Sequence, residues 1–233
     1  MNTTHSQSHA HDGPVAMART GLHDRVIELV KEHFPKKARI ADLAAGQGAF
    51  SVRLRDLGHE ITAIDGFSEA WKVPDIELKI QNLDSEFAAE IVADDNKYDA
   101  VIAIEIIEHL ENPFRFAREC AKLLKPGGVL FLTSPNVESV HSRIIFFYTG
   151  RLNSFGAYET VRPAHITPIF KWKLDMLLDE AGFTAIHEEF DEEIFVAGTN
   201  FKIRLSARIA RLIAPFLKGS KGGNGRIVVA KLK

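Results

Sequence analysis

Acidic residues and glycines follow three hydrophobic stretches of the sequence in a regular way. The first stretch runs into DLAAGQG (42–48), the second ends on Asp65, seventeen residues after Gly48, and the third ends just before Asp84. Glycines let a loop turn tightly against a ligand because they carry no Cβ. An aspartate placed like Asp65 can accept hydrogen bonds from two ribose hydroxyls, and Asp84 can accept from an adenine amino group. The spacing therefore predicts a site for an adenosine-containing ligand, unless the glycines only form turns and the aspartates only cap helices.

Strands that alternate with helices must position these residues. Strands are predicted at 38–45, 60–65, 77–83, 98–104 and 129–135, with helices at 22–34, 49–58, near 85–93 and at 112–124. This alternation implies crossover connections and a mostly parallel sheet covered on both faces. Two closing strands, 183–190 and 226–233, lack the alternation, so the last one is a candidate antiparallel strand. We predict a single domain over 15–233 that follows a disordered, His-rich leader at 1–14.

The stretch from Ala38 to Phe190 resembles the class I methyltransferases that depend on S-adenosylmethionine. That family's acidic residue followed by G-x-G-x-G matches 42–48 with one departure, because Ala44 stands where the first glycine is expected. The resemblance implies S-adenosylmethionine as cofactor and an α/β, Rossmann-like, doubly wound sheet of seven strands. The implied strand order is 3-2-1-4-5-7-6, with strand 7 antiparallel.

The resemblance also implies which residues contact the cofactor. Its amino-acid part is surrounded by Asp42, Ala44, Gly46 and Gly48, and its ribose is held by Asp65. Its adenine is framed by Leu83 and Asp84. A further contact is Glu105, which follows the fourth strand.

The segment EIIEHLENP (105–113) follows the fourth strand and lacks the N-P-P-Y tetrapeptide of amino-group methyltransferases, which favours oxygen or carbon acceptors. Its Glu-x-x-Glu-His motif resembles quinone-biosynthesis O-methyltransferases and small-RNA 3′-end 2′-O-methyltransferases. In those two branches the motif, with a histidine beyond the fifth strand, resembles a site for Mg²⁺, Mn²⁺ or Zn²⁺. The implied ligands are Glu105, Glu108, His109 and His165. A metal that holds a hydroxyl lowers its pKa and fixes its distance to the methyl group.

The same residues allow an interpretation without a metal. Glu105 then binds the cofactor or the acceptor directly, and Glu108 caps the following helix. His109 packs in the core, and His165 acts alone as a general base. Glu105 and His165 are the predicted catalytic residues.

A long aromatic connection, 141–170, follows the fifth strand and is predicted to be a lid. A small satellite core explains the same rings equally well. The pattern S-R-x-x-F-x-x-T-G, followed by H-I-T-P-I, resembles bacterial methyltransferases whose acceptors are often sugars or lipid-linked glycans.

The net charge of −2 hides an uneven distribution. No acidic residue follows Glu193, whereas nine lysines and arginines do, which leaves residues 1–193 with 20 basic and 31 acidic residues. The excess of acidic residues in 1–193 argues against a general nucleic-acid-binding protein. Within a predicted basic insertion at 200–222, residues 201–217 form an amphipathic pattern that either lies on an anionic membrane or packs over the cleft. GSKGGNG (219–225) is predicted to be a flexible connection.

Several function classes are compatible with the sequence. We expect a methyltransferase that acts on a hydroxyl of a small-molecule, sugar or lipid-linked acceptor. The alternatives are an RNA 3′-end 2′-O-methyltransferase and a non-catalytic cofactor-binding regulatory module. A dehydrogenase is disfavoured because Phe50 and Ser51 break the G-x-G-x-x-G pattern. Cys120 is the single cysteine, and no apolar run approaches the ~18–20 residues of a membrane span, so a cytoplasmic location is expected.

Overall fold

The sheet has seven strands in the part of the chain that the structure describes. This computed structural model describes residues 13–92, 96–161, 164–191, 212–219 and 221–233, together with 205 and 208–209. The strands are β1 (Arg39–Leu43), β2 (Glu60–Asp65), β3 (Glu77–Ile80), β4 (Tyr98–Ala103), β5 (Leu124–Pro135), β6 (Phe183–Phe190) and β7 (Gly225–Leu232). Their order is β3-β2-β1-β4-β5-β7-β6. β7 runs antiparallel to both neighbours, and the other neighbouring pairs are parallel. The predicted sheet order and the antiparallel strand are confirmed.

Helices cover both faces of this sheet. They are α1 (Leu22–His33), α2 (Ala49–Asp56), α3 (Ala88–Ile91), α4 (Pro113–Leu123), α5 (Val140–Thr149) and α6 (Lys171–Glu180). α1 and α2 pack with Ile40 on one face, whereas α3, α4 and α6 pack with Ala41 and Leu43 on the other. Burial on both faces explains why the central strands β1 and β4 read as nearly continuous apolar runs rather than alternating ones. None of the helices built from the described residues is both long and apolar enough to cross a bilayer.

Several elements are shorter than predicted, among them β1, β3 and α3, and two others differ more strongly from the sequence prediction. β5 begins at Leu124, five residues before the predicted start, and its pairing with β4 shifts register after Tyr98 pairs with Leu124. α5 occupies the first part of the predicted connection 141–170, where no helix is expected from the sequence, and begins one residue before it. Ser139 caps its first turn by accepting from the Ser142 N–H, and Gly150 ends it at φ 71°. The aromatic run of that connection is therefore partly helical.

Gly222, Gly223 and Gly225 form a tightly packed corner at the end of the predicted connection 219–225. The Asn136 side chain donates to the carbonyls of Gly222 and Gly223, at 2.5 and 3.1 Å. Asp191 accepts from the Asn224 N–H at 2.6 Å. A Cβ on Gly223 would collide with the Asp191 backbone. Glycine is needed here because β5, β6 and β7 bring their ends together at this point.

A buried cation lies beside that corner. Arg226, 1% exposed, pairs through Nη2 with Glu138 Oε2 at 2.7 Å and through Nε with Glu188 Oε1 at 3.2 Å. Its guanidinium also lies 5.6 Å from the centre of the Phe190 ring. Glu138 in turn accepts from the Lys171 N–H at the start of α6. The network joins β6 and β7 to the segments that precede α5 and α6.

Candidate active site

A cavity of about 650 Å³ opens where β1, β2 and β4 end. Loop residues 42–47, Asp65 after β2 and Glu105 after β4 line it. Residues 15–19 close one side, and the Val15 N–H donates to Gln47 Oε1 at 3.0 Å. The carboxyl edge of an open α/β sheet is where such proteins bind their ligands.

The glycine loop turns through backbone conformations that favour glycine. The φ angles are 57° at Ala44, 56° at Gly46 and 91° at Gly48. A Cβ on Gly48 would collide with Val73 and Trp71, so this glycine is also required sterically. Ala44, which replaces the family's first glycine, adopts the conformation that the glycine would adopt and carries the strain of a Cβ there.

Replacing Ala44 with glycine should therefore stabilise the protein, by about 1 kcal/mol in the free energy of unfolding. The neighbouring Ala45 is the matched control, because its φ is not positive. Ala45→Gly should lower the free energy of unfolding by about 0.5–1 kcal/mol through the added freedom of the unfolded chain. Urea unfolding measures both changes, and destabilisation by both variants would contradict the strain at Ala44.

Two predicted cofactor aspartates line the cavity with different environments. Asp42 is buried and accepts from the Ser51 hydroxyl at 2.5 Å, and burial raises the pKa of its carboxyl to about 7. Asp65 is held by the loop, because its two oxygens accept from the N–H groups of Gly46 (2.9 Å) and Phe67 (3.1 Å). These two backbone bonds orient the Asp65 carboxylate at the mouth of the cavity.

The two residues expected around the adenine lie outside the cavity lining. Leu83 is buried in the core. Asp84 accepts from the N–H groups of Glu111 and Asn112, at 2.9 and 3.2 Å, and so fixes the turn before α4. Phe67, which is 72% exposed, lines the cavity beside Asp65 instead.

Glu105 lies two residues after the end of β4 in a strained conformation, with φ 50°. Its N–H donates to the Thr133 hydroxyl at 2.9 Å, and its carboxylate lies 3.7 Å from the Arg19 Nε. Burial raises the pKa of the Glu105 carboxyl, and the Arg19 guanidinium opposes that shift. A non-glycine residue at positive φ is held there by its surroundings, which is common at functional sites.

Glu108, His109 and His165 come together, although 57 positions separate the first from the last. One potential ligand atom from each of the three lies within 4.8 Å of the other two. Glu108 is fully buried, and neither of its carboxyl oxygens has a hydrogen-bond partner. Burial and the nearby Glu105 carboxylate raise the pKa of Glu108 well above its ordinary value.

The two imidazoles are oriented by backbone carbonyls. His109 Nδ1 lies 3.1 Å from the Ala164 carbonyl, and His165 Nδ1 lies 2.7 Å from the Ser154 carbonyl. When Nδ1–H donates to these carbonyls, each Nε2 keeps its lone pair. Burial and the neighbouring His165 lower the pKa of His109, which favours a neutral ring.

The segment after His165 is tied to the Glu108 backbone. The N–H groups of Ile166 and Thr167 both donate to the Glu108 carbonyl at 2.9 Å. These bonds bring His165 beside the end of β4 despite the long intervening connection. Glu105, the fourth ligand implied by the resemblance, is outside the three-residue group and pairs with Arg19 instead.

The geometry disagrees with a helix-capping role for Glu108. The side chain of Asn112 caps α4 by accepting from the Arg115 N–H at 2.9 Å. The Glu108 carboxyl oxygens accept no hydrogen bond.

Arg19 is a cavity residue that sequence reasoning missed. Its guanidinium lies 3.7 Å from carboxylate oxygens of both Glu105 and Asp191 and donates to the Ser154 hydroxyl at 3.0 Å. No periodicity or motif marks it, because these partners come from three distant segments. Its closeness to the predicted start of the domain was the only available signal.

The aromatic connection is divided between the cavity and the surface. Phe155 is buried and packs on the His165 ring at 5.6 Å, and Ser154 and Glu159 line the cavity. Phe147 and Tyr158 are 91% and 88% exposed. The segment thus forms one wall of the cavity, while many of its rings face outward.

Comparisons with known proteins show which family the chain resembles. A family model described as "Methyltransferase domain" matches residues 15–188. The ubiquinone biosynthesis O-methyltransferase of Xanthomonas campestris pv. campestris (strain B100) is 36% identical over 104 residues, 42% of this chain and 44% of that protein. The chain thus matches less than half the length of that curated relative.

Solved structures extend the likeness to nearly the whole chain. A SAM dependent methyltransferase from Archaeoglobus fulgidus aligns with a TM-score of 0.62 and 19% identity over 90% of this chain and 94% of that one. The 1,6-didemethyltoxoflavin-N1-methyltransferase of Burkholderia thailandensis, solved with S-adenosylhomocysteine, aligns with a TM-score of 0.58 and 12% identity over 91% and 78%. At these identities the likeness concerns the fold. The family match covers residues 15–188 and shows that the chain belongs to the methyltransferase domain family, and its sheet order is the one that the resemblance implied.

Proposed function

We propose that the protein transfers the methyl group of S-adenosylmethionine to a hydroxyl oxygen, at a divalent metal site formed by Glu108, His109 and His165. The observation that carries this proposal is the fully buried Glu108 carboxyl, which has no hydrogen-bond partner and lies beside two imidazoles. An unpaired buried carboxylate costs several kcal/mol, so its presence calls for a ligand that compensates it.

The donor set fits a metal ion. One carboxylate and two imidazole nitrogens form the ligand set of several catalytic zinc sites, which keep a position open for substrate. The Nδ1 contacts of His109 and His165 with backbone carbonyls match the outer-shell bonds that orient metal-binding histidines. A bound divalent ion lowers the pKa of an acceptor hydroxyl and so supplies a better nucleophile.

The remaining work falls to residues of the chain. In methyl transfer the carbon–oxygen bond forms as the carbon–sulfur bond breaks, which gives S-adenosylhomocysteine, a methyl ether and a proton. Asp65 and the glycine loop orient the cofactor from one wall of the cavity. Ser154, Glu159 and His165 line the same cavity. We infer that the acceptor enters between these walls, with His165 at its hydroxyl.

The acceptor class is tested with a panel of vicinal diphenols, monophenols, sugars and RNA 3′ ends. The reaction mixture contains chelator-treated protein and S-adenosylmethionine with a labelled methyl group. We expect an O-methylated product whose formation stops with chelator and returns with Mn²⁺. Turnover that is unchanged by the chelator would contradict the metal site and favour the alternative in which His165 acts alone as a general base. Methylation confined to RNA ends would favour the RNA alternative, and cofactor binding without turnover would favour the regulatory module.

We also propose peripheral contact with an anionic membrane, centred on α5. Phe146, Phe147 and Tyr148 are 52%, 91% and 64% exposed at the end of this helix. No acidic residue occurs between Ser139 and Tyr158. Exposed aromatic rings beside basic residues suit an anionic lipid surface.

The predicted membrane segment 201–217 lies partly outside the described residues. Among those that are described, Ile213 and Leu217 pack against the α5 residues Val140 and Ile144. Phe216 is 84% exposed. The described part of the segment therefore extends the α5 surface.

Phe147→Asp should weaken binding to phosphatidylglycerol vesicles, because it places a negative charge on that surface. Trp172→Asp is the matched control, since Trp172 is 62% exposed on α6. Co-sedimentation measures both variants. Equal binding by wild type and Phe147→Asp would contradict the proposed membrane surface.

A further inference from the structure

The cofactor's methionine end carries a carboxylate, and the cavity has few groups that can bind one. Four carboxylates line the cavity, from Asp42, Asp65, Glu105 and Glu159. Arg19 is the single lysine or arginine among its described lining residues. Without Arg19, the cavity would repel a bound carboxylate.

The two glycine N–H groups of the loop are not available to bind the cofactor carboxylate. The Gly46 N–H donates to Asp65 Oδ2 at 2.9 Å, and the Gly48 N–H donates to the Ala45 carbonyl at 2.8 Å. Both glycine N–H groups are therefore committed within the protein. The loop turns tightly enough to approach the cofactor, but its two glycine amides are not free to bind an anion.

Arg19 is held in a way that leaves donors for a ligand. Its contacts with Glu105 and Asp191 are both 3.7 Å, longer than the roughly 2.7–2.9 Å of a charge-assisted hydrogen bond. Its one hydrogen bond within normal range goes to the neutral Ser154 hydroxyl. A guanidinium has five N–H donors in a fixed fork that matches a carboxylate. A bidentate carboxylate can therefore bind Arg19 more strongly than its present partners do.

We propose that Arg19 binds the α-carboxylate of S-adenosylmethionine, and that the adjacent Glu105 receives its α-ammonium group. The opposite charges of the Arg19–Glu105 pair match those of the α-carboxylate and the α-ammonium group, which are bonded to the same carbon atom of the cofactor. Because Arg19 lies in the segment that closes the cavity, residues 15–19 pack over the cofactor when this contact forms. The role concerns cofactor binding and does not depend on the acceptor or on a metal.

Calorimetry with two ligands tests the assignment. The probes are S-adenosylhomocysteine and its decarboxylated form, which keeps the amine and loses the carboxylate. Wild-type protein should bind the complete molecule about 10- to 100-fold more tightly, as expected for loss of a bidentate charged contact. Arg19→Gln should bind the two ligands with nearly equal affinity, because the contact that distinguishes them is gone.

Arg25→Gln is the matched control. Arg25 pairs with Glu189 at 2.5 Å and lies outside the cofactor cavity, so this variant should keep the wild-type preference. Arg19→Lys is a second variant for use if Arg19→Gln does not fold. It keeps the positive charge but loses the forked guanidinium, so its preference for S-adenosylhomocysteine over the decarboxylated form should be reduced. Equal weakening of both ligands by the Arg19 variants would overturn the proposal, as would an unchanged preference. Acceptor turnover and metal binding do not enter this measurement, so its failure is distinct from failure of the proposed function.

Discussion

Glu108→Gln is expected to abolish divalent-cation binding while S-adenosylhomocysteine still binds. Glutamine has nearly the same shape as glutamate, but its neutral amide is a poor metal ligand. Changes to outer-shell groups already cost about 10–100-fold in metal affinity, so loss of a direct ligand should cost at least about 100-fold. Acceptor turnover should fall with it. Titration calorimetry with Mn²⁺, on chelator-treated protein with S-adenosylhomocysteine present, measures the effect.

The stability of the same variant separates a metal ligand from a structural carboxylate. Burial raises the Glu108 pKa above its ordinary value of 4.5, so the metal-free folded state binds a proton more tightly than the unfolded state does. The contribution of Glu108 to the free energy of unfolding is therefore lost progressively as the pH rises from 4.5 towards the raised pKa. Glutamine does not titrate, so metal-free Glu108→Gln should be at least as stable as wild type near neutral pH.

Glu111→Gln is the control for this experiment, because Glu111 is exposed and lies three residues further along the chain. It should bind Mn²⁺ as wild type does. A Glu108→Gln variant that is strongly destabilised but still binds Mn²⁺ would show that Glu108 has a structural role and that the metal proposal is wrong.

Arg226→Met should destabilise the fold by about 3–5 kcal/mol, the usual cost of removing one partner from a buried charge network. Methionine fills much of the volume, but it leaves Glu138 and Glu188 without their shared guanidinium. The effect should appear in urea unfolding as a lower midpoint with little change in slope.

Arg53→Met provides the exposed comparison. Arg53 pairs with Asp24 at 2.6 Å on the surface, where the loss of an ion pair costs about 0–1 kcal/mol. Replacing both Glu138 and Glu188 with glutamine in the Arg226→Met background should recover part of the loss, because the negative charges that Arg226 no longer compensates are then removed. Equal effects of Arg226→Met and Arg53→Met would contradict the importance of burial at Arg226.

The sequence was most informative where a short segment determines its own structure. The strand 60–65 and the strand 183–190 were predicted with the bounds that the structure shows. Each is a short run rich in apolar and β-branched residues, which is a local signal, so local composition suffices even though Ile186 of β6 is 48% exposed. The glycine loop was equally readable, because positive φ at Gly46 and Gly48 is a local requirement.

The site depended on contacts between distant segments, which the sequence does not encode in its spacing. A motif placed Glu105, Glu108 and His109 near one another, but the backbone after β4 turns Glu105 towards Arg19 and Glu108 into the core. Asp84 matched an adenine-binding position, and the structure adds that one of its oxygens, Oδ1, accepts from two nearby N–H groups. Which partner a side chain meets is decided when loops pack, not by its position in the motif.

The sequence by itself thus predicted the alternating strands and helices, because repeated apolar runs are local signals, and its glycine motif carried the resemblance that implied the family, the sheet order and the cofactor. The tertiary structure alone decided that three of the four predicted ligands come together, that Glu108 has no hydrogen-bond partner, and that Arg19 enters the cavity. The physical reason is that the charge, burial and hydrogen bonding at a site depend on contacts between segments far apart in the chain. Those contacts form only once β4, the 141–170 connection and the segment before α1 have packed together.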